Sequence, residues 1–362
     1  MNKIMYATII LMTLFSYSIQ SQSVDSHNIW ECTHEDISES VSLVWKTTRN
    51  CNPSPPSIKD NIVYYGCADN SLYAIDINSG KELWKFETKN QIWGEPTVIN
   101  NIVYAGSLDS YLYAIDLKTG KEIWKFKASG ELSSSPKFNN NKLYIGDHSG
   151  YFYSIDAKTG KEIWKLSIGD KILSSAIMKN GIVFIGSNDD NLYAINEIDG
   201  TVKWRYKTLH NIGASAVIDN NTVFIGSIDE HIYALNIDDG KEIWKRKTNI
   251  QIFNSPVIHN GKLIIDVNSN IHAVDLKNGK DIWVYESQLS KSCTRKIVLN
   301  NTLIYGTCND YFVALDINTG VEKWRYKTEG PISEAFSIIG NNLIYKKMNQ
   351  GLVALKSINN KN

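Results

Sequence analysis

The sequence predicts an all-β fold, an eight-bladed β-propeller of four-stranded antiparallel blades, from three observations. Tryptophans recur every 39 to 41 residues, and similar text surrounds them, as in YLYAIDLKTGKEIWKF. Each repeat contains four short β-type segments and shows no helical periodicity. A repeat of about 40 residues with four strands is typical of a propeller blade. The structural tryptophans are Trp45, Trp84, Trp124, Trp164, Trp204, Trp244, Trp283 and Trp324.

The four strands of one blade are clearest in residues 91–130. The segments EPTVI, NIVYAGS, YLYAID and KEIWKFK are rich in β-branched and aromatic residues, and Asn-Asn, Leu-Asp-Ser and Lys-Thr-Gly turns separate them. A single four-stranded sheet cannot bury both of its faces, so neighbouring blades are expected to stack face to face.

Residues that recur around the last turn of each blade have structural explanations. Gly120, after Thr119, supplies the positive φ that a tight turn requires. The aspartate before such a turn can accept hydrogen bonds from the turn backbone. A fully buried tryptophan contributes about 3 to 5 kcal/mol to stability. The aspartates in question are Asp76, Asp116, Asp156 and Asp275.

The two ends of the chain are predicted to share one blade. Residues 331–357 supply three strands but no tryptophan segment, whereas residues 42–47 (SLVWKT) carry Trp45 with no strands before them. The N-terminal strand is therefore expected to complete the last blade.

The N-terminus has the order of a secretory signal. Lys3 precedes an apolar run from Ile4 to Phe15, and small polar residues follow. We expect a signal peptide at 1–23, an N-terminal segment at 24–40 and a single propeller at 41–362. An uncleaved membrane anchor is the alternative, although the run is shorter than the roughly 20 residues that a spanning helix needs. The protein is thus expected to be exported, periplasmic or secreted, with no stable membrane anchor after cleavage.

The charge balance argues against a nucleic-acid partner, and the positions of the cysteines indicate which of them form disulfides. With 38 basic and 38 acidic residues, the chain lacks the basic surplus that nucleic-acid binding needs. A hairpin that turns at Asn300–Asn301 places Cys293 opposite Cys308, which predicts a disulfide. A second expected pairing is Cys51–Cys67, or a bridge from Cys32, although a turn at Asp60–Asn61 opposes Cys67 to Ser54 rather than to Cys51.

Three segments carry a resemblance to a known family. AIDLKTGKEIW (114–124), AINEIDGTVKW (194–204) and ALDINTGVEKW (314–324) resemble the tryptophan-docking repeats of pyrroloquinoline-quinone-type (PQQ-like) propellers. The resemblance covers residues 41–356. It implies that Trp124 stacks between Ala114 and a glycine of a neighbouring motif, Gly160 or Gly80.

The resemblance is less specific for function. Similar repeats occur in quinone-dependent alcohol dehydrogenases and in the propeller lipoprotein of the outer-membrane assembly machinery. A dehydrogenase implies a calcium-held quinone, a catalytic aspartate and a disulfide of adjacent cysteines. This sequence has no Cys-Cys pair and no long inserted loops, so neither PQQ nor calcium is expected. It also has no cysteine soon after the apolar run, where the lipoprotein is acylated.

Polar residues in two sets of turns are the candidate ligand-binding residues. The turn into the first strand and the turn after the second lie on the same rim, because consecutive strands are antiparallel. Carboxylates in turns of this kind are usually exposed to solvent or accept hydrogen bonds from the turn backbone. The pair Arg295–Lys296 replaces the Ser-Pro of other repeats, and it either holds an anionic ligand or, as we favour, forms ion pairs. The candidate ligand-binding residues are Arg295, Lys296, Glu95, Glu334, Trp93 and His231; Asp109, His148, Asp189, Asp190, Asp229 and Glu230 share this rim.

Motifs for catalysis and metal binding are absent from the sequence. The seven histidines show no ligand spacing, and no nucleophile motif occurs. We expect a non-catalytic scaffold that engages a protein or an extracellular polymer through its loop rim. The alternative is an exported enzyme, either a quinoprotein oxidoreductase or a polysaccharide-acting propeller that uses rim carboxylates, histidine and tyrosine as acid and base.

Overall fold

Eight antiparallel sheets of four strands make up the part of the chain that the structure describes. The computed structural model describes residues 41–47, 51–289, 291–347 and 351–357, without the side chains of 333–335 and 357. The predicted signal peptide, the segment 24–40 and Cys32 lie outside these ranges. Within them, no helix has the length and apolar character needed to cross a membrane. The all-β, eight-bladed prediction is confirmed.

Each of the first seven blades is built from four consecutive strands, which we call A to D. Blades 1 and 2 contain β2 (Ser57–Lys59), β3 (Ile62–Gly66), β4 (Ser71–Asp76) and β5 (Glu82–Glu87), then β6 (Thr97–Ile99), β7 (Ile102–Gly106), β8 (Tyr111–Asp116) and β9 (Glu122–Lys127). Blades 3 and 4 contain β10 (Lys137–Asn139), β11 (Lys142–Gly146), β12 (Tyr151–Asp156) and β13 (Glu162–Ser167), then β14 (Ile177–Lys179), β15 (Ile182–Gly186), β16 (Asn191–Asn196) and β17 (Val202–Lys207).

The later blades follow the same order, with one strand taken from the start of the chain. Blades 5 and 6 contain β18 (Val217–Asp219), β19 (Thr222–Gly226), β20 (His231–Asn236) and β21 (Glu242–Lys247), then β22 (Val257–His259), β23 (Lys262–Val267), β24 (Asn270–Asp275) and β25 (Asp281–Tyr285). Blade 7 contains β26 (Ile297–Leu299), β27 (Thr302–Gly306), β28 (Tyr311–Asp316) and β29 (Glu322–Lys327). Blade 8 contains β30 (Ile332–Ile339), β31 (Asn342–Lys347), β32 (Gly351–Ser357) and β1 (Val41–Lys46).

The short A strands of neighbouring blades contact one another, so they surround the central channel, and the D strands form the outer wall.

The CD turns have the glycine conformation and the aspartate hydrogen bonds that the sequence predicts. Gly120 has φ +68°, and Asp116 Oδ1 accepts hydrogen bonds from Thr119 N at 2.8 Å and Thr119 Oγ1 at 2.7 Å. These hydrogen bonds favour the ionised carboxylate and hold the pKa of Asp116 below its usual value.

Among the described residues, seven of the eight repeat tryptophans, all except Trp324, pack against a CD-turn glycine of the next blade. A Cβ added at Gly160 lies 2.6 Å from the Trp124 ring, so only glycine fits there. Gly160, not Gly80, is therefore the partner of Trp124. The indole N–H usually donates to the next blade, as Trp84 Nε1 does to Leu117 O at 2.9 Å.

The ring is closed by the first strand, as predicted. β1 pairs antiparallel with β32. Trp45 is 8% exposed, packs against Gly80 of blade 1 and donates from Nε1 to Ile77 O at 2.7 Å. The same docking contact that joins consecutive blades therefore also joins the last blade to the first.

Two disulfides link DA segments to BC segments. Cys293 and Cys308 are bonded with their Cα atoms 5.1 Å apart, which confirms the predicted pair. Ser292 pairs with Thr307 here, so the register of β26 and β27 has shifted by two residues and the cysteines are not directly opposite. Cys51 and Cys67 are bonded with a Cα separation of 6.0 Å. Cys67 lies opposite Pro53 rather than Ser54, because the register shifts in this loop, and the shift moves it toward Cys51.

Candidate functional site: the loop face and the channel

The DA and BC loops lie at one end of the propeller, which we call the loop face. It comprises residues 88–96 and 107–110 in blade 2 and their equivalents elsewhere. Backbone hydrogen bonds join the two loops, including Leu108 N to Gln91 O at 2.9 Å and His148 N to Glu131 O at 2.9 Å. The AB and CD turns lie at the opposite end.

In five blades a rim aspartate accepts a hydrogen bond from a tyrosine of strand C, and in blades 2, 3 and 5 it also accepts one from the backbone of the DA loop, which ties the two loops together. In blade 5, Asp229 Oδ2 accepts from Tyr233 OH at 2.5 Å and from Leu209 N at 2.9 Å, and its Oδ1 accepts from His231 N at 3.0 Å. We call this arrangement the clamp. Its aspartate–tyrosine pairs are Asp69–Tyr73, Asp109–Tyr113, Asp147–Tyr153, Asp189–Tyr193 and Asp229–Tyr233.

Four of the clamp tyrosines, Tyr113, Tyr153, Tyr193 and Tyr233, have raised pKa values and stay protonated. Burial, together with the hydrogen bond to Asp189, raises the pKa of Tyr193 to about 12. The carboxylates act as acceptors for neighbouring backbone and phenol groups. Their geometry therefore gives the recurring acidic residues of this rim a structural role.

Blades 6 and 7 lack the aspartate–tyrosine pair and have other contacts, which in blade 6 join strands rather than loops. In blade 6, His272 occupies the tyrosine position, and its Nδ1 lies 2.7 Å from Asp281 Oδ1. Arg246 binds both oxygens of Asp281, at 2.8 and 2.9 Å. In blade 7, Val313 stands at the tyrosine position, and the Cys293–Cys308 disulfide joins the two loops.

The central channel is bridged near the loop face by a buried ion pair. Arg295 is 2% exposed, and its Nη1 lies 3.0 Å from Glu95 Oε2 of blade 2. The same guanidinium donates from Nε and Nη2 to Phe336 O at 3.0 and 2.9 Å, and from Nη2 to Ser337 Oγ at 2.9 Å. Blade 7 is thereby tied to blades 8 and 2.

A buried lysine lies close to this pair. Lys137 of blade 3 is 3% exposed. Burial and the positive charge of Arg295 hold the pKa of Lys137 well below its usual value. The Arg295–Glu95 ion pair, with Lys137 beside it, therefore forms a charged layer within the channel.

Lys296 points away from its neighbour in sequence. Its Nζ lies 2.5 Å from Asp266 Oδ2. Both residues line a cavity of about 10 Å³, which is room for one water molecule. Asp266 Oδ1, which is buried, has no hydrogen-bond partner among the described residues. Both cations of the Arg295–Lys296 pair thus form ion pairs, the alternative that the sequence analysis favours.

The remaining candidate residues do not gather around the channel layer. Trp93 is half-buried and donates from Nε1 to Gln91 Oε1 at 2.6 Å. His231 lies at the outer side of blade 5, where it pairs with Lys247 of the D strand. The side chain of Glu334 lies outside the described residues.

Sequence reasoning missed a hydrogen-bonded chain in blade 3. Ser133 Oγ lies 2.6 Å from His148 Nε2, and His148 Nδ1 lies 3.0 Å from Glu131 Oε2. Ser133 is 2% exposed, so its hydroxyl is not accessible to a substrate in this conformation. Burial lowers the pKa of His148, which favours a neutral ring between a donor and an acceptor. Ser133 lies 160 residues before Cys293, and His148 lies 160 residues before Cys308. They therefore occupy the repeat positions of the predicted disulfide, and this spacing could have indicated from the sequence that they meet.

The residues in the channel do not fit the quinone that the family resemblance implies. Arg295, Glu95 and Lys137 occupy the channel close to the loop face. The four described cysteines form two bonds between residues 16 and 15 positions apart, not a disulfide of adjacent residues.

Comparison with protein-family models gives one match. The model described as "Outer membrane protein assembly factor BamB" matches residues 28–129, 108–215, 207–332 and 267–359. A comparison with curated protein sequences gives no match.

Solved structures with the same fold include proteins of different kinds. BamB from Moraxella catarrhalis superposes with a TM-score of 0.72 at 13% identity, covering 87% of this chain and 99% of that one. The computationally designed Ika8 protein gives 0.77 at 17% identity, with coverages of 87% and 99%. Quinohemoprotein alcohol dehydrogenase from Comamonas testosteroni gives 0.72 at 14% identity, with coverages of 89% and 77%. At these identities the likeness concerns the fold alone.

Proposed function

The chain belongs to the family described as "Outer membrane protein assembly factor BamB", and from this premise we propose that it is an exported, non-catalytic scaffold that holds a protein partner on its loop face. An assembly factor acts by contact with another protein. The eight-bladed ring supplies a broad and rigid surface for such contact.

The observation that carries this proposal is the charged layer in the channel. Small-molecule sites are usually concave pockets that enclose most of the ligand. Here the place where a propeller would offer such a pocket contains the Arg295–Glu95 pair, with side chains 3% and 14% exposed, and Lys137. Recognition is therefore expected to use the surrounding loops, which suit a macromolecule better than a small substrate.

The clamps support a non-catalytic role. A general acid or base must exchange its proton during turnover. The carboxylate of Asp229 accepts three hydrogen bonds that hold its own loop and the neighbouring loop in place. A protonation change at this group would loosen the loops that the scaffold presents.

Export is part of the proposal. The signal-like residues 1–23 and the two disulfides suit an oxidising, extracytoplasmic compartment. An extracellular polymer is the other class of ligand, and crosslinking distinguishes a protein adduct from a polymer adduct.

Site-specific photo-crosslinking tests the proposal with a matched pair in blade 4. Leu209 at the loop face is 81% exposed, and Ile198 at the opposite face is 77% exposed. A photoreactive amino acid at Leu209 is expected to give one discrete protein adduct in cells, which excess unlabelled protein suppresses, whereas Ile198 gives none. Equal adducts from both positions, or only polymer adducts at Leu209, contradict the proposal.

A reconstitution assay addresses the enzyme alternative. Purified protein is incubated with pyrroloquinoline quinone and calcium, and quinone absorbance and alcohol turnover are measured. We expect no bound quinone and no turnover. A bound quinone with alcohol oxidation shows that the chain is a quinoprotein.

A further inference from the structure

The disulfide of blade 1 lies beside a carboxylate. The sulfur atoms of Cys51 and Cys67 and a carboxylate oxygen of Asp69 all lie within 4.8 Å of one another. Cys51 is 6% exposed and Cys67 is fully buried, whereas Asp69 is exposed. Two soft ligands and one hard ligand thus meet at the edge of the loop face.

We propose that, when this disulfide is reduced, Cys51, Cys67 and Asp69 bind one zinc ion and leave its fourth position to solvent. Thiolate and carboxylate are common zinc ligands, and three protein ligands with one open position is an established zinc geometry. With Zn–S bonds of about 2.3 Å and a tetrahedral angle, the two sulfurs must lie about 3.8 Å apart. The Cα separation of 6.0 Å allows this change through side-chain rotation.

The clamp already orients the carboxylate. Tyr73 OH donates to Asp69 Oδ2 at 2.6 Å, which fixes the side chain and leaves Oδ1 for a metal. Outer hydrogen bonds of this kind position metal ligands and tune their affinity. Blade 1 is the one described blade in which a clamp aspartate follows a cysteine by two residues.

The redox balance is simple. A phosphine or dithiol reductant transfers two electrons to the S–S bond, and the two sulfurs take up two protons. Zinc then displaces those two protons into solvent as both thiolates bind. The metal itself does not change oxidation state.

The second disulfide provides a natural control. Blade 7 carries Asn309 at the position equivalent to Asp69. Among the described residues, no carboxylate or histidine joins Cys293 and Cys308 in a cluster of comparable spacing. The proposal therefore applies to one disulfide and not to the other.

The site would preserve ring closure under reducing conditions. Cys51 follows β1, and Cys51 and Cys67 share a hydrophobic cluster with Trp45 and Ile77 at the junction of blades 8 and 1. A zinc ion would replace the covalent tie between the closing segment and blade 1. The junction would then be held in either redox state.

The test uses the full mature chain, reduced with a phosphine, in a Cys32→Ser background so that this cysteine cannot supply a ligand. Zinc binding is measured by calorimetry and by the unfolding temperature. We expect one zinc per chain and a higher unfolding temperature. Asp69→Asn should weaken binding by more than about 10-fold, Tyr73→Phe should weaken it less, and the double variant C293S/C308S should bind as the parent does.

Cobalt provides a readout that does not depend on the stability of a cysteine variant. Reduced parent protein and C293S/C308S are expected to show the same thiolate-to-cobalt charge-transfer band, and C51S/C67S is expected to lack it. If C51S/C67S does not fold, the band in the first two proteins decides. Absence of the band in the parent, its loss in C293S/C308S, or unchanged zinc affinity in Asp69→Asn overturns the proposal.

Discussion

Arg295 and Glu95 meet across the central channel, with Nη1 and Oε2 3.0 Å apart, although 200 residues separate them in sequence. Arg295 also donates to Phe336 O, so one guanidinium connects three blades. Both charged groups are largely buried, and each compensates the other for the hydration that it has lost. Substitutions in the charged layer therefore measure how much these groups contribute to the stability of the ring.

Removing one partner of this pair should destabilise the protein strongly. Breaking a buried ion pair costs about 3 to 5 kcal/mol because the remaining charge stays buried without compensation. We expect Arg295→Leu and Glu95→Gln each to lower the free energy of unfolding, measured by urea titration, by an amount in this range. Glu87→Gln, at an exposed pair with Lys85, is the control and should leave the midpoint unchanged. Equal effects of Glu95→Gln and Glu87→Gln would show that the channel pair contributes little.

The closing strand should be essential for the soluble monomer. Deletion through Lys46 removes β1 and leaves β32 as an exposed edge, which promotes pairing between molecules. Trp45→Ala should cost about 3 to 5 kcal/mol. Leu43→Ser, on the same strand at a residue that is 49% exposed, should have little effect. Size-exclusion chromatography and melting curves measure both outcomes, and a stable monomer without β1 contradicts the closure assignment.

Tryptophan docking can be separated from backbone strain with two glycines. Gly160 has φ +71° and would place a Cβ 2.6 Å from Trp124, whereas Gly181 has φ +72° with nothing within 4 Å. Gly181→Ala therefore reports the cost of the left-handed conformation alone. Gly160→Ala should destabilise by about 1 to 3 kcal/mol more, because overpacking displaces the indole. Urea unfolding measures both variants. An equal loss of unfolding free energy at both positions would mean that the contact between Gly160 and Trp124 accommodates an added methyl group without cost.

Features that repeat or depend on local register could be predicted from the sequence. The tryptophan period indicated the blades, and the Asn300–Asn301 turn predicted the pairing of Cys293 with Cys308. Neither bond joins directly opposed residues, because the register shifts by one residue at Pro53 and by two at Ser292, and local turn positions do not encode these shifts. The contact of Arg295 with Glu95 depends on which blades face each other across the closed ring, and no local pattern encodes that.

The clamps show a different reason for incomplete prediction. The aspartate and the tyrosine four residues later were visible in several repeats, as in Asp109 and Tyr113. Their shared task appears only when Lys89 N of the preceding loop is placed beside them, since it donates to Asp109 at 2.9 Å. Sequence reasoning assigned the rim carboxylates to solvent or turn caps, and it did not include this link between loops.

Buried tyrosines should make the protein sensitive to alkaline pH. Burial raises the pKa of Tyr64, Tyr104 and Tyr153 to about 12, whereas an unfolded tyrosine has a pKa of about 10. A raised folded-state pKa gives stability that is complete below pH 10 and is lost as pH rises toward 12. At pH 11 each of these tyrosines should cost about 1.3 kcal/mol, and the three together about 4 kcal/mol, relative to pH 9.

Tyr64→Phe provides the decisive variant for this pH dependence. The Tyr64 hydroxyl is buried and has no hydrogen-bond partner among the described residues, so its removal should leave stability at pH 9 nearly unchanged. The variant no longer ionises at this position when it unfolds. Its loss of stability between pH 9 and pH 11 should therefore be smaller than that of the parent by about 1 kcal/mol. Urea unfolding at both pH values measures the difference, and an identical loss in the two proteins would show that Tyr64 ionises in the folded state as readily as in the unfolded chain.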